Sequence, residues 1–216
     1  MLANKPYVIG LTGGIGCGKS EAAQYLKTLG AAHVDADEIS RALTQPGGAA
    51  LPEIRRVFGE AAFNEDGSLD RANLGKLVFG NEPARRALEG IIHPLVQREM
   101  LARMDAAGQE GAAVVILDVP LLFETGMERY CDEVWCAYVP KAIQLARLMK
   151  RSGLTRKEAA ARIAAQLPNA ERRRRADRVI STAGTKEESA AEIIRRYDAL
   201  QARLKAGQGE CDARKK

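Results

Sequence analysis

The feature that most constrains the fold of this chain is a glycine-rich stretch near its start, "GGIGCGKS". Gly13 and Gly18 are separated by four residues, and Lys19 follows directly. With Ser20 next, the stretch fits the pattern G-x4-G-K-[S/T]. An apolar run, "YVIGLT", precedes the glycines, and alanine and leucine residues with helical spacing follow them. The order strand, loop, helix is the context in which this pattern binds phosphate groups.

The chemistry of such a loop follows from its residue types. Backbone N–H groups of the glycines curl around a β-phosphate, and the start of the next helix adds the positive end of its dipole. Lys19 neutralises β- and γ-phosphate oxygens, and the Ser20 hydroxyl is a ligand for Mg²⁺. The stretch therefore predicts a site for a nucleoside triphosphate together with its metal ion.

Two other nucleotide-binding classes lack their motifs in this sequence. A dinucleotide fingerprint, G-x-G-x-x-G, fails because Lys19 stands where the third glycine belongs, after Gly14 and Gly16. A GTPase switch protein carries Asn-Lys-x-Asp late in the chain, whereas Asn4-Lys5 precedes the loop and lacks the aspartate. Guanine specificity is therefore unsupported.

Strand and helix patterns alternate along the rest of the chain. Strand patterns occur in "AAHVDAD", in "AAVVILDVPLLF", in "EVWCAYV" and in "DRVIST". Between the second and third strands, residues 39–104 have helical patterns, with breaks at 46–48, at 64–67 and at His93-Pro94. These patterns predict an α/β fold of the P-loop NTPase type, a three-layer α/β/α arrangement with a parallel sheet. The helical block predicts an inserted substrate subdomain.

Composition limits the expected partners. Thirty-three Lys and Arg residues against 28 Asp and Glu give a net charge of +5, which suits anionic small molecules without requiring a nucleic acid. The basic run 171–175 is interpreted as mostly solvated helix surface, because no aromatic residues are interleaved with it. Four cysteines without C-x-x-C spacing, no leader pattern and no apolar run of roughly 18 residues predict a soluble, cytoplasmic protein without a membrane partner.

Three aspartates are candidates for chemistry at the triphosphate. Asp35 and Asp37 are two residues apart, so both leave the same face if the strand extends this far. A carboxylate there can accept the proton of an attacking hydroxyl or hold Mg²⁺-bound water, but an aspartate before a helix can also be a cap. Asp118 ends the strand "VVILD" and is placed like a Walker-B acid, which contacts Mg²⁺ directly or through water.

The helix pattern "PKAIQLARLMKRSG" carries Gln144, Arg147 and Arg151 on one stripe, opposite its apolar side. A solvated polar face is the simpler interpretation. Phosphoryl transfer, however, needs cations over the γ-phosphate in the transition state, and a lid helix commonly supplies them. Arg147 is the predicted lid arginine.

Six motifs together resemble the dephospho-CoA kinase family. They are "GLTGGIGCGKS", "DADEISR", "IIHPLV", "DVPLLFE", the helix with Q-x2-R-x3-R, and "DRVIST" followed by x-G, in the family's order from residue 8 to about 200. The resemblance implies transfer of the γ-phosphate of MgATP to the ribose 3′-hydroxyl of dephospho-CoA, the last step of coenzyme A synthesis. It also implies a P-loop core, a helical CoA-binding domain and a lid. We expect no nucleic-acid partner, and a monomer or weak homo-oligomer.

The resemblance implies roles for individual positions of this sequence. The expected catalytic residues are Asp37 as the base, Lys19 and Arg147, and the expected metal ligands are Ser20, Asp35 and Asp118. The expected nucleotide contacts are Gly13, Gly14, Ile15, Gly16, Cys17, Gly18, Lys19, Ser20, Glu21, Asp177 and Gly184. His93-Pro94 also matches a family motif, either as a helix-start turn or as a substrate contact.

Three positions depart from the family pattern. Cys17 stands where serine is usual, Glu21 replaces a threonine that donates to the α-phosphate, and Thr182 replaces a frequent asparagine. Among N–H donors at a helix start, the Cys17 thiol is expected to have a lowered pKa and to react with thiol reagents unless MgATP protects it. The closest rival is shikimate kinase, which also pairs a P-loop with Asp-x-Asp on its second strand. The middle helical block and "DVPLLFE" argue against that alternative.

The expected domain organisation is a single P-loop kinase unit over residues 1–205. Its core consists of residues 1–38 and 110–205, its helical CoA-binding insertion of residues 39–109, and its lid of residues 147–170. Residues 206–216 have no apolar periodicity and are predicted to be a disordered tail.

Overall fold

A computed structural model describes residues 5–213 of the chain, with side chains described for residues 5–206. The strands in this part are β1 (Tyr7–Gly13), β2 (Ala32–Asp35), β3 (Val114–Asp118), β4 (Glu133–Tyr138) and β5 (Arg178–Ser181). They form one sheet in the order β2-β3-β1-β4-β5. β1 pairs in parallel with β3 and with β4, and β4 pairs in parallel with β5. The predicted α/β fold with a parallel sheet is confirmed.

Helices form most of the connections between the strands. They are α1 (Lys19–Thr28), α2 (Ala36–Leu43), α3 (Leu51–Phe58), α4 (Arg71–Val78), α5 (Glu82–Gln109), α6 (Lys141–Ser152), α7 (Arg156–Ala164), α8 (Asn169–Arg175) and α9 (Lys186–Ala213). Two short 3₁₀ helices, Glu60–Ala62 and Met127–Tyr130, lie in the loops. None of the helices within residues 5–213 is long and apolar enough to cross a membrane.

The chain forms two compact units. One contains Val34–Gly111, and the other contains Pro6–His33 with the chain from Ala112 onward. In the first unit, a small core around Ile54 and Leu74 is formed by α3 and α4 with apolar residues of α5. Helices α2 to α5 therefore have a core of their own.

The second unit holds most of the sheet and the larger core. β1 is a central strand, and it is buried from Val8 to Gly13. A continuous apolar run suits such a position, because helices cover both faces of a parallel sheet. On one face, Ile9, Ile116 and Trp135 pack with residues of α1 and α9.

Two predicted strands are too long at their carboxyl ends. β3 ends at Asp118 rather than continuing through residue 123, and Pro120 has no N–H to extend the ladder. β2 ends at Asp35, because the side chain of this residue caps α2. The condition under which Asp35 and Asp37 would share a strand face is therefore not met.

Two helical predictions also differ from the structure. Helix α5 continues through His93 and Pro94, where the sequence predicted a break. Proline removes one hydrogen bond from the helix and crowds the preceding turn, but the long helical segments on both sides sustain the helix. Helix α9 extends to Ala213, so residues 206–213 are helical where a tail was predicted. The remaining predicted tail, residues 214–216, lies outside the described residues.

Candidate active site

The glycine-rich stretch forms a loop between the carboxyl end of β1 and the start of α1. Gly16 and Gly18 have φ angles of 77° and 80°, which residues other than glycine rarely adopt. Gly18 is the N-cap residue of α1, so Lys19 and Ser20 lie in its first turn. The first N–H groups of a helix have no partner within the helix, and they make this end a binding site for anions.

Lys19 forms an ion pair with Asp118, the last residue of β3. The second oxygen of Asp118 lies 3.2 Å from Nε2 of His33 on β2. Asp118 is only 2% exposed, and both of its carboxylate oxygens have a partner. A buried carboxylate needs such partners, because burying an unpaired charge is costly.

Sequence reasoning missed His33, although a signal was present. His33 precedes Asp35 by two residues in β2, and alternation along a strand puts residues two apart on one face. The criterion applied to Asp35 and Asp37 would have included this imidazole.

Asp35 and Asp37 belong to the unit Val34–Gly111 and are described within it. Asp35 is the N-cap of α2, and its Oδ1 accepts hydrogen bonds from the N–H groups of Asp37 at 2.7 Å and Glu38 at 3.1 Å. The capping interpretation therefore applies to Asp35. Asp37 lies in the first turn of α2, and its side chain is exposed to solvent.

Arg147 on α6 is connected to the loop through Thr182, which follows β5. Its Nη2 donates to the carbonyl of Thr182 at 2.6 Å, and the Thr182 hydroxyl donates to the carbonyl of Cys17 at 2.7 Å. A Cβ atom on Gly18 would lie 2.8 Å from Thr182 Oγ1, so this close approach requires glycine. Thr182 thus supports the loop with its side chain. Arg151, on the same predicted stripe, is exposed.

Burial decides the protonation of Cys17. The side chain is fully buried, and desolvation raises the pKa of its thiol, although hydrogen bonds from neighbouring groups oppose this effect. The expectation of a lowered pKa is therefore wrong. The helix-start argument considered the N–H donors and omitted desolvation of the charged form, which is the larger effect.

Ser20 and Glu21 lie side by side in the first turn of α1 but differ in their surroundings. Ser20 is exposed, so its hydroxyl is open to a ligand from solvent. Oε1 of Glu21 is buried and has no hydrogen-bond partner within the part of the chain that the structure describes. The positive end of the α1 dipole favours a carboxylate at this place.

Asp177 does not lie with the loop. It precedes β5, where its carboxylate accepts a hydrogen bond from the N–H of Val134 at 2.7 Å. This is the amino edge of the parallel sheet, whereas the loop leaves the carboxyl end of β1. We therefore remove Asp177 from the expected nucleotide contacts. Gly184 follows the carboxyl end of β5, and a Cβ there would meet the carboxylate of Glu188, so a larger residue would displace this side chain.

Arg172 contradicts the interpretation of residues 171–175 as mostly solvated surface in one respect. Its side chain is fully buried, and it donates to the carbonyl of Leu167 and to Glu124 Oε1, both at 2.6 Å. The neighbouring residues 173–175 are exposed, as expected. A helix of seven residues has one inward side, and Arg172 occupies it.

Comparison with known proteins gives consistent matches. A family model described as "Dephospho-CoA kinase" matches residues 7–188. A dephospho-CoA kinase of Geobacillus kaustophilus is 46% identical over 196 residues, which cover 89% of this chain and 98% of that protein. The solved structure of TT1252 from Thermus thermophilus has a TM-score of 0.77 and 36% identity, and the match covers 93% of this chain and 99% of that one. A shikimate kinase of Acinetobacter baumannii shares the fold, with a TM-score of 0.52 at 19% identity over 92% of this chain and 94% of its own.

Proposed function

The chain belongs to the dephospho-CoA kinase family, and from this premise we propose that Asp37 is the base while Lys19 and Arg147 stabilise the transferred phosphoryl group. The protein is an ATP-dependent kinase that acts on dephospho-CoA. In the proposed reaction, the ribose 3′-hydroxyl loses its proton to Asp37 and its oxygen bonds to the γ-phosphorus. The bond from that phosphorus to the β-phosphate oxygen breaks, which gives coenzyme A and ADP.

The observation that best supports this assignment is the ion pair between Lys19 and Asp118. It places a cation in the first turn of α1, beside the N–H groups of the loop. A triphosphate in the loop would accept from these N–H groups and from the Lys19 ammonium, so charge that develops on the β- and γ-oxygens would meet donors already in place. Most of the catalysis would be positioning and electrostatic stabilisation.

Arg147 is proposed to complete the charge stabilisation. Its guanidinium is half-buried and is oriented by the carbonyl of Thr182. A guanidinium has five N–H donors, and the hydrogen bonds to Thr182 leave donors for phosphate oxygens. Fixing the arginine before the substrate binds reduces the ordering cost in the transition state.

Mg²⁺ is proposed as the metal ion of the reaction. Within one unit, Ser20 offers an exposed hydroxyl and Asp118 a carboxylate, which are hard oxygen ligands of the kind that Mg²⁺ prefers. Asp35 is proposed as a further ligand on the family pattern alone. The ion would supply charge neutralisation on the β- and γ-phosphates. Asp118 already orients Lys19 and His33, which keeps its carboxylate in one position.

We also propose a cytoplasmic protein with small-molecule partners, acting as a monomer or weak homo-oligomer. The thiols of Cys17, Cys131 and Cys136 are free, as expected for a reducing compartment. The helical insertion, residues 39–109, is proposed to bind the CoA portion of the acceptor, and residues 147–170 to act as the lid.

Replacement of Asp37 tests the proposed base. Asp37→Asn keeps the shape of the side chain but removes its ability to accept the proton, so kcat is expected to fall by roughly 10²-fold or more. ATP binding is expected to remain, because Asp37 does not belong to the loop. Coenzyme A and ADP formation from dephospho-CoA measures the first effect, and calorimetric titration with ATP in the presence of Mg²⁺ measures the second.

Glu38→Gln is the matched control for this experiment. Glu38 is the next residue of α2, and its side chain is 70% exposed. Its Oε1 lies 3.9 Å from Nη1 of Arg103. Its loss removes the same charge one position away, so turnover is expected to stay close to the unmodified value. Near-normal turnover of Asp37→Asn would refute the assignment of the base.

A further inference from the structure

The main chain of Ile15 in the loop is held by two side-chain amides. Oε1 of Gln166 accepts a hydrogen bond from the Ile15 N–H at 2.8 Å, and Nε2 of Gln144 donates to the Ile15 carbonyl at 2.7 Å. Gln144 lies on α6 and is 1% exposed, whereas Gln166 lies between α7 and α8. The peptide groups on both sides of the Ile15 Cα are thus hydrogen-bonded, one to an acceptor and the other to a donor.

Asn169, the first residue of α8, completes this arrangement. Its Nδ2 donates to Oε1 of Gln144 at 2.9 Å, so both ends of the Gln144 amide are hydrogen-bonded. A Cβ atom on Gly14 would lie 2.7 Å from Asn169 Oδ1 and 2.9 Å from Gln144 Nε2. The amides therefore pack directly on the loop, and Gly14 provides the space for them.

Arg172 fixes the segment that carries Gln166. Its guanidinium donates to the carbonyl of Leu167, the next residue after Gln166, and to Glu124. Because Arg172 is fully buried and ion-paired, the main chain at Leu167 is anchored to the second unit's core. The hydrogen bond from Arg172 to Leu167 therefore also restricts the position of the adjacent Gln166 side chain, whose Oε1 is the acceptor.

A phosphate loop binds well when its N–H groups already converge before the ligand arrives, because a mobile loop must lose conformational entropy on binding. Ile15 directly precedes Gly16, where φ is 77° and the loop turns. Hydrogen bonds to the N–H and the carbonyl of Ile15 restrict this turn. Neither group is then a donor or acceptor for the triphosphate, so the contacts serve the loop and not the ligand.

We propose that Gln166 and Gln144 are positioning residues that hold the Ile15 turn in its binding conformation before ATP arrives. The proposal rests on the proposed role of Gly13–Ser20 as the triphosphate site. It assigns opposite requirements to two chemically identical side chains, since position 166 needs an acceptor and position 144 needs a donor.

Glutamate substitutions at the two positions test this polarity. Gln166→Glu keeps an acceptor for the Ile15 N–H, whereas Gln144→Glu puts a carboxylate oxygen against the Ile15 carbonyl. Each variant adds one negative charge beside the main chain of Ile15, so the added charge repels the phosphates of ATP in both variants. We expect the KM for ATP of Gln144→Glu to exceed that of Gln166→Glu by about tenfold, the effect of one lost hydrogen bond with an unpaired partner. The KM for dephospho-CoA is expected to stay unchanged in both.

Amide hydrogen exchange in the absence of nucleotide tests directly whether Gln166 holds the Ile15 N–H before ATP binds. The Ile15 N–H is expected to be protected in the unmodified protein and in Gln166→Glu, and to exchange about tenfold faster in Gln166→Leu, which lacks the acceptor. Gln24→Glu is the charge control, because Gln24 on α1 is exposed. Circular dichroism and thermal unfolding verify that each variant is folded. If Gln144→Glu does not fold, the exchange rates of the Ile15 N–H in Gln166→Glu and Gln166→Leu still test the positioning role.

The two possible failures are distinguishable. Fast exchange of the Ile15 N–H in the unmodified protein, or equal KM values for ATP in the two glutamate variants, would overturn the positioning role. ATP binding that leaves the amide signals of residues 13–20 unchanged would instead refute the loop as the triphosphate site.

Discussion

At the scale of single residues, Cys17 illustrates how burial overrides a local motif. It lies in the phosphate loop, but its side chain is fully buried and desolvation raises the pKa of the thiol. Lys19 and Ser20 could be predicted because their roles follow from adjacent positions in the sequence. The state of Cys17 could not, because Asn169 and Val139, which contact it, are distant in the chain.

We expect Cys17 to react slowly with alkylating reagents. At pH 7 the thiol with its raised pKa is almost entirely protonated, and the thiolate is the reactive form. Loss of kinase activity during incubation with iodoacetamide is therefore expected to be slow, and equally slow in Cys17→Ser. Rapid inactivation that MgATP prevents and that Cys17→Ser abolishes would contradict this prediction.

At the scale of secondary structure elements, a capping signal is readable from the sequence, whereas the inward side of a short helix is not. Thr155 and Glu158 have the spacing of a capping box, and both of its hydrogen bonds are present at the start of α7. The four arginines of α8 look equivalent in the sequence, yet only Arg172 is buried. A seven-residue helix whose single apolar residue is an alanine gives no periodic signal for its inward side.

The difference among these arginines can be measured. Arg172→Met keeps the length of the side chain but removes the donors to Leu167 and Glu124, and we expect it to lower the free energy of unfolding by about 3 kcal/mol. Arg174→Met removes an exposed ion pair with Glu171 and is expected to lower the free energy of unfolding much less than Arg172→Met does. Urea unfolding of both variants provides the comparison, and equal losses would contradict a special role for Arg172.

At the scale of the whole molecule, the sheet and its loop could be predicted because strand patterns and the glycine motif are continuous in sequence. The long-range hydrogen bonds that hold the loop could not be predicted in the same way. The hydrogen bond from Ile15 to Gln166 spans 151 positions, and no pattern in either segment indicates the other. The same holds for Asp177, whose edge of the sheet is fixed only when β5 pairs with β4.

A second long-range cluster connects the start of the sheet to α9. Glu133 at the start of β4 accepts hydrogen bonds from Tyr7, Trp135, Arg178 and Arg203. Burial alone would raise the pKa of Glu133, but the hydrogen bonds from Arg203, Trp135 and Tyr7 and the charge of Arg178 together lower it. Folding therefore favours the ionised carboxylate.

This cluster gives the molecule an acid-sensitive component of stability. Because the pKa of Glu133 is lower in the folded protein than its ordinary value of 4.5, its contribution is fully present above that value. The contribution is lost as the pH falls through the lowered pKa. We expect Glu133→Gln to be less stable at pH 7 and to lose less free energy of unfolding than the unmodified protein between pH 5 and pH 3. Parallel pH dependences in the two proteins, measured by urea unfolding, would contradict this.

The central position of β1 has a consequence for how the chain is made. The strand that leads into the phosphate loop is synthesised before both of its neighbours in the sheet, since Tyr7 pairs with Val114 and Gly13 with Ala137. On the ribosome, β1 therefore has no neighbour on either side until β3 and β4 have emerged. The apolar run "VIGL" is exposed during this interval, and it depends on non-local pairing that forms slowly. A chain released before β4 is complete would carry the whole glycine motif and still be unable to assemble the loop.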